Sequence, residues 1–447
     1  MLKKIYSIFI LLTGICSMIS AQQNDNNPYT RFGIGDMSDN NFNHTRQMGG
    51  LGASYIDAYN INIVNPASYA FLNATAFDVG VFAKNTYLKD DKHSNSFWTG
   101  NLDYLSLAFP LTNPINALYD GVKRKYKWGM NVTLKPNSTV SYDIENIDSV
   151  SIGKPFVRNY NGSGGSYKLL WGNAVNYKKF ALGVNLGYLF GNLKYERNIF
   201  FDKSDYAYND YYTNDYNVKG FIWNGGLIFT DIINKADIEK NKIAPAKRIS
   251  AGIHFNSATS FSTRSNVQHF LVQDISSSFQ RVDTVNIEQD ISGKGKLPAE
   301  LGLGATYYYG EKHALGFNYT RTLWSSYFND ASGEVAGSLT DVNRYSVGGY
   351  FRPDYKSYDN YFKRVYYRYG VYYSTDPKKF NGDAVDSYGI TLGMGMPFVF
   401  QRKVSTVNLG VTAGTRGANA PISEKFLKFS LGVSFNDDEW FLKRKYN

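Results

Sequence analysis

Cysteine occurs once in the 447 residues, at position 16, and that position belongs to a segment expected to be removed. Lys3 and Lys4 precede an apolar run from Ile5 to Ile15, and cleavage after Ala21 completes the pattern of a secretory signal peptide over residues 1–21. Ile15 is too large for a lipobox, so lipid attachment at Cys16 is not expected. The exported chain then has no thiol, which excludes a disulfide framework and a cysteine site. Long apolar runs are missing as well. No later stretch approaches the roughly 18 apolar residues of a membrane helix, so any spanning structure has to be a closed barrel. The five histidines, at 44, 93, 254, 269 and 313, include no two at a metal-ligand spacing. No Gly-x-Ser-x-Gly elbow and no Walker loop occurs. These absences describe a protein that is no enzyme, with no metal and no cofactor. A Pro/Ser/Gly-rich linker is also missing, so one large unit is expected rather than several soluble domains.

What the chain has in excess is aromatic surface. Aromatic residues make up 16%, with 37 Tyr and 30 Phe, a content that suits two interfacial girdles better than an ordinary core. The stretch from Phe180 to Gly191 places Leu182, Val184, Leu186, Tyr188 and Phe190 on one strand face, and Gly183, Asn185, Gly187, Leu189 and Gly191 on the other. Similar glycine-rich, tyrosine-dense segments recur to the C-terminus, as expected of strands whose apolar side meets lipid. The formal charge of +10 falls by two, to +8, when Lys3 and Lys4 leave. Such a balance accommodates an anionic ligand or contact with acidic lipid head groups, the second being the plainer account.

Residues 22–74 differ in kind: they are polar, rich in Asn and Gly, and show no sustained alternation, which suggests an N-terminal plug or extension ahead of a barrel over 75–447. Alternation and turn signals place strands at about 75–84, 100–109, 126–146, 167–177, 180–191, 219–230, 247–257, 297–308, 313–322, 341–352, 363–373, 386–396, 404–414 and 425–435. The expected fold is therefore all-β, a transmembrane antiparallel barrel of about 14 strands with an N-terminal plug. Counting upward from a periplasmic N-terminus puts outer loops at 85–99, 147–166, 192–218, 258–296, 323–340, 374–385 and 415–424, and tight periplasmic turns at Lys178-Lys179 and from Tyr309 to Lys312. In the third strand, Trp128, Met130, Val132 and Leu134 alternate until Lys135-Pro136-Asn137-Ser138 interrupts them. Proline cannot donate to a ladder, so a kink or bulge in one strand is expected there, the alternative being two strands joined by a turn.

These residues resemble the long-chain fatty acid transporter (FadL) family of outer-membrane proteins. Met48-Gly49-Gly50-Leu51-Gly52-Ala53-Ser54 followed by Asn65-Pro66-Ala67-Ser68 is similar to that family's plug, and Leu297 to Gly304 and Asn318 to Trp324 are similar to its later strands. The resemblance implies a 14-stranded barrel in the outer membrane of a Gram-negative bacterium, closed by a plug carrying Gly49, Gly50, Gly52, Asn65, Pro66 and Ala67. It implies passive passage of small hydrophobic compounds with sideways release at a third-strand kink, here Lys135, Pro136, Asn137 and Ser138. It also covers relatives that are not channels, among them a barrel that is a partner in type IX protein secretion, and the alternative expectation is accordingly a non-transporting accessory or scaffold barrel in an outer-membrane protein secretion or assembly complex. The implied partners are outer-membrane lipids, a hydrophobic small molecule or other proteins, and not nucleic acid.

Three weaker features complete the reading. Asp36, Ser38, Asp39, Asn40, Asn41 and Asn43 gather oxygens without the spacing of a calcium loop, so a solvated turn is expected. His254 shares a face with Ser250, Gly252 and Asn256 and is expected in the lumen as a spectator. Tyr206, Tyr208, Tyr211, Tyr212 and Tyr216, interleaved with Asp205, Asp210 and Asp215, form either an outer-loop recognition surface or a loop packed over the barrel mouth.

Overall fold

The computed structural model describes residues 27–112, 125–149, 155–201, 208–242, 244–276, 279–380, 383–400 and 403–437. The signal segment 1–21 lies outside them. Fourteen antiparallel strands close on themselves: β1 (Thr75–Lys89), β2 (Ser94–Pro110), β3 (Tyr126–Ser149), β4 (Pro155–Tyr177), β5 (Phe180–Phe201) and β6 (Asn209–Ile232) lead to β7, made of Lys247–Asn256 and Ser260–Ser276, and β8, made of Phe279–Lys296 and Glu300–Tyr309. Then follow β9 (His313–Thr322), β10 (Val342–Phe351), β11 (Tyr366–Phe380), β12 (Asp383–Phe400), β13 (Lys403–Arg416) and β14 (Ser423–Asp437). β14 pairs with β1 from Ser423↔Lys89 to Asp437↔Thr75, which closes the ring and removes the sheet edges there.

Lipid-facing side chains locate the membrane. On β4, Tyr167, Leu169, Trp171, Val175 and Tyr177 point outward, and the flanking tyrosines are ten residues apart. At about 3.3 Å per residue and a tilt near 40° that is roughly 25 Å of membrane normal, the height of an outer-membrane apolar band. At one end the turns are tight: Lys178 adopts φ 57° between Tyr177 and Phe180, and Gly310 φ 53° beyond Tyr309.

The opposite end departs from the sequence expectation. The segments expected as outer loops at 147–166, 192–218 and 258–296 are largely strand: β3 and β4 pair up to Ser149↔Pro155, β5 and β6 up to Ile199↔Asp210, and the distal pieces of β7 and β8 pair along their length. Beyond the bilayer both strand faces meet water or another hairpin, so the period-two pattern fades while the ladder continues. β7 and β8 are each interrupted, at 257–259 and 297–299, the second break holding Pro298, and beyond its break β7 stays paired with β6 from Gly220↔Phe261 to Asn209↔Val272.

Residues 27–74 lie inside the barrel. From Asn43 to Ala53 the chain runs along the inner wall against β14, β13, β12, β11, β10, β9, β8 and β7 in turn, and Asn65 to Tyr69 continues against β6, β5, β4 and β3. At most of these crossings the strand presents a glycine, such as Gly432, Gly393, Gly370, Gly348, Gly252, Gly226, Gly183 and Gly129, where a Cβ would collide with the passing segment. One apolar cluster forms inside this winding, around Phe42, Ile61, Ile63, Tyr69 and Tyr104. Another fills the distal lumen, around Tyr142, Leu193, Tyr216, Phe261 and Trp324.

Candidate functional site: the lumen segment and the interrupted ladder

The short helix Asn43–Arg46 ends at a double left-handed turn, Gly49 at φ 73° and Gly50 at φ 96°. Only glycine enters that region at no steric cost. The turn is tied to the wall by Gly49 N–H donating to Thr391 Oγ1 at 2.9 Å. Gly52 sits against Val64, where a side chain would not fit. Asn65 joins three pieces of chain: its Nδ2 donates to the carbonyls of Ala53 (2.6 Å), Ile253 (3.2 Å) and Leu227 (3.3 Å), while its Oδ1 accepts from Ala67 N–H at 3.1 Å. That last bond caps the 3-10 turn Pro66–Phe71, in which Pro66 occupies the first position and needs no donor. Ala67 is buried and abuts Gly183.

β3 is a single strand through Pro136, with a register shift against β4 between Pro136 and Ser138. Its other edge is interrupted. The β2–β3 ladder runs from Pro110↔Gly129 to Leu105↔Leu134 and stops there, although β2 begins at Ser94 and β3 extends to Ser149. Over that stretch the lumen segment takes the edge of β3: Asp36 and Met37 pair with Thr139 and Ser138, Ser38 N–H donates to Asn137 O at 2.9 Å, and Asn27 N–H donates to Ser141 O at 3.1 Å. The side chains of Asn137 and Ser138 do not fold back on their own backbone. Asn137 Nδ2 reaches Ser166 Oγ at 3.0 Å, and Ser138 Oγ lies 2.6 Å from the same hydroxyl. Lys135 is buried, and its Nζ donates to the Asp39 carbonyl.

The segment expected as a solvated turn is only partly exposed: Asp36 and Met37 pair with β3, Asn41 and Asn43 are buried, and Asp36 to Asn41 line a lumen cavity of about 480 Å³. Arg416 Nη1 lies 3.2 Å from Asp36 and Arg416 Nη2 2.5 Å from Asp376, while Lys84 Nζ lies 2.5 Å from Glu424. Burial opposes ionisation of Asp36, but Arg416 and Lys378 outweigh it and hold the carboxyl below its usual range; Arg344 and Arg46 do the same for Asp39. His44 is fully buried with neither ring nitrogen hydrogen-bonded, and burial together with Arg368 lowers its pKa from 6.5 to about 3.

The pair that anchors the segment was not found from the sequence. Arg46 Nη1 bonds Asp103 Oδ2, Arg46 Nη2 lies 3.2 Å from Asp103 Oδ1, and both side chains are buried. Asp103 enters the lumen because β1 and β2 slip register there, Gly80↔Tyr104 being followed by Val81↔Leu102. A lapse in alternation at Asp103-Tyr104 was the available signal.

The tyrosines of the expected outer loop separate. Tyr206 lies outside the described residues, Tyr211 and Tyr212 are half-buried on β6 with Tyr208 just before it, and Tyr216 is fully buried, stacked on Tyr195 with ring centroids 5.8 Å apart. Tyr216 is therefore a packing residue, because β6 continues through the segment expected as a loop. His254 faces the lumen with its Nε2 3.4 Å from Glu300 Oε1. Among the described residues no three His, Cys, Asp or Glu side chains are placed to hold a metal ion.

Over residues 1–447 the sequence matches the family model described as BamG. The chain belongs to the BamG family. No curated protein matches it. Its fold is that of solved hydrophobic-compound channels. A Pseudomonas aeruginosa FadL homologue aligns at TM-score 0.58 with 12% identity, covering 90% of this chain and 99% of the other. The Ralstonia pickettii toluene transporter TbuX aligns at 0.54 with 12% identity, covering 89% and 99%, and the CymD monoaromatic hydrocarbon channel at 0.53 with 15% identity, covering 91% and 98%. This member of the family is thus a FadL-like, 14-stranded membrane barrel of the outer-membrane type.

Proposed function

We propose that the barrel is a passive conduit for small hydrophobic compounds, with the lumen segment as its plug and the unpaired stretch between β2 and β3 as its side exit. The observation carrying this reading is the ladder that stops at Leu105↔Leu134 while both strands continue. A barrel wall pays several kcal/mol for each unsatisfied backbone group facing lipid, so a stretch of β3 edge covered by the docked lumen segment and not by β2 is where opening costs least. Asn137→Trp or Ser138→Trp is expected to slow toluene entry into proteoliposomes while heat-modifiable gel migration stays normal. Unimpaired entry in both variants argues against the exit.

A second reading, an accessory barrel in an outer-membrane protein complex, is favoured by a different observation. The lumen cavity is lined by charged groups, and the distal hairpins carry bare apolar residues: Ile147 is 68% exposed, Val282 56% and Val335 69%. Exposed apolar side chains outside the bilayer favour protein contact. Purification in mild detergent separates the readings: stoichiometric co-purifying protein supports the accessory role, and a lone barrel with a bound apolar molecule supports the conduit.

A further inference from the structure

We propose that the lumen cavity binds an oxyanion of the phosphate class, carrying two or more negative charges, between Lys168, Arg344 and Lys428. All three line the cavity, as do Arg46 and Asp39. The positive groups outnumber their counterions. Asp39 is the shared carboxylate, 3.9 Å from both Arg46 and Arg344, and Asp103 is taken by Arg46.

The lysines end on neutral partners. Lys168 Nζ reaches the amide oxygen of Asn40 at 2.5 Å, Lys428 Nζ stands over the Phe82 ring at 4.0 Å, and the neighbouring Lys135 bonds a backbone carbonyl. Arg344 is stacked on Tyr372, 4.5 Å from the ring centroid, with its Nη2 3.5 Å from Gly49 O. Of the other carboxylates around the cavity, Glu424 lies against Lys84, and Asp36 and Asp376 lie against Arg416. Five cations thus face three carboxylates, Asp39, Asp103 and Glu300, the last of which has only the neutral donors Asn256 and Thr322 besides His254.

Like charges gathered along one cavity repel one another unless an anion neutralises them. Two ammonium groups and a guanidinium lining one cavity offer more donors than a single carboxylate can accept, and suit an oxyanion with several acceptor oxygens. Such a ligand is hydrophilic, so this site is independent of passage of apolar compounds and holds under either reading of function.

The test uses the purified full-length barrel in detergent at low salt, titrated with inorganic phosphate by calorimetry, with short-chain phosphatidic acid and decanoate as parallel probes. Saturable phosphate binding is expected, weakened about tenfold by Lys168→Gln or Lys428→Gln, as loss of one charge-assisted bond implies. Lys428→Arg is expected to retain binding, and normal heat-modifiable migration verifies the fold of each variant. Equal affinity for phosphate and phosphatidic acid identifies a free anion as the occupant, and tighter lipid binding identifies a headgroup. Absence of saturable binding at millimolar phosphate, unchanged affinity in both glutamine variants, or preference for decanoate overturns the assignment.

Discussion

Replacing Arg46 with Met removes the guanidinium from Asp103 while keeping a side chain of similar length on the helix Asn43–Arg46. In the native protein that guanidinium also donates to Asn43 Oδ1 at 3.2 Å and to the Asn41 carbonyl at 2.8 Å. Asp103 is left buried, with no other ion pair to it among the described residues. Breaking one side of a buried ion pair typically costs about 3–5 kcal/mol, whereas replacing both sides by apolar groups is often neutral. The cost falls on docking of residues 27–74, because the β-ladders do not use either side chain. At about 1.4 kcal/mol per tenfold, the docked-to-undocked ratio falls by roughly two to three and a half powers of ten. Hydrogen exchange over residues 40–70 and ion conductance in planar bilayers measure it. Arg46→Met is expected to lose protection and raise conductance, while Arg46→Met with Asp103→Leu recovers most of both. If the single variant behaves as wild type, or if the double variant is as loose as the single, the pair does not hold the segment and the reasoning fails.

The histidine on the same helix makes docking acid-sensitive. Because the docked pKa of His44, about 3, lies below its free value of 6.5, its contribution is complete above pH 6.5 and is lost as pH falls toward 3; limited proteolysis of residues 27–74 between pH 7.5 and 4 should follow this fall, and His44→Met should flatten it. Gly183→Val places a side chain against Pro66 and Ala67 and is expected to displace the segment without unfolding the barrel, read as raised conductance with normal heat-modifiable migration. Deleting residues 22–67 should leave a folded barrel that leaks small solutes from liposomes, and unchanged permeability would contradict a plugging role.

The fold was largely legible because lipid imposes a period of two. Each of the 14 strand positions expected from alternation falls on an observed strand, and the tight turns at Lys178-Lys179 and Tyr309 to Lys312 lie where that count needs them. Legibility ended where lipid ends. Tyr216 looked like loop because, above the bilayer, one face of β6 packs on Tyr195 and Phe261 while the other is wet, leaving no apolar side to recognise. Pro136 marked the bulge directly, since a missing N–H is a property of one residue. The end of the ladder at Leu134 and the Arg46–Asp103 pair were hidden because each depends on two segments far apart in the chain.

The winding of the lumen segment along a belt of wall glycines ties chain length to circumference. Adjacent strands are spaced by about 4.8 Å, so each step from one strand to the next consumes a fixed amount of polypeptide. Between Asn43 and Ala53 the path has no slack: Gln47 meets Gly393 and Gly410, Met48 and Gly49 meet Gly348 and Gly370, and Ala53 meets Gly252. Inserting or deleting one residue there would put every following residue opposite the wrong strand. Slack exists between Asp57 and Val64, where the chain leaves the glycine belt and touches the wall through Asn60, which accepts from Ser434 Oγ at 3.4 Å, before Asn65 returns to β6. Length variation within this segment should therefore be confined to that excursion. A segment held this way comes off the wall one strand at a time, as a label peels, and does not slide out along the barrel axis.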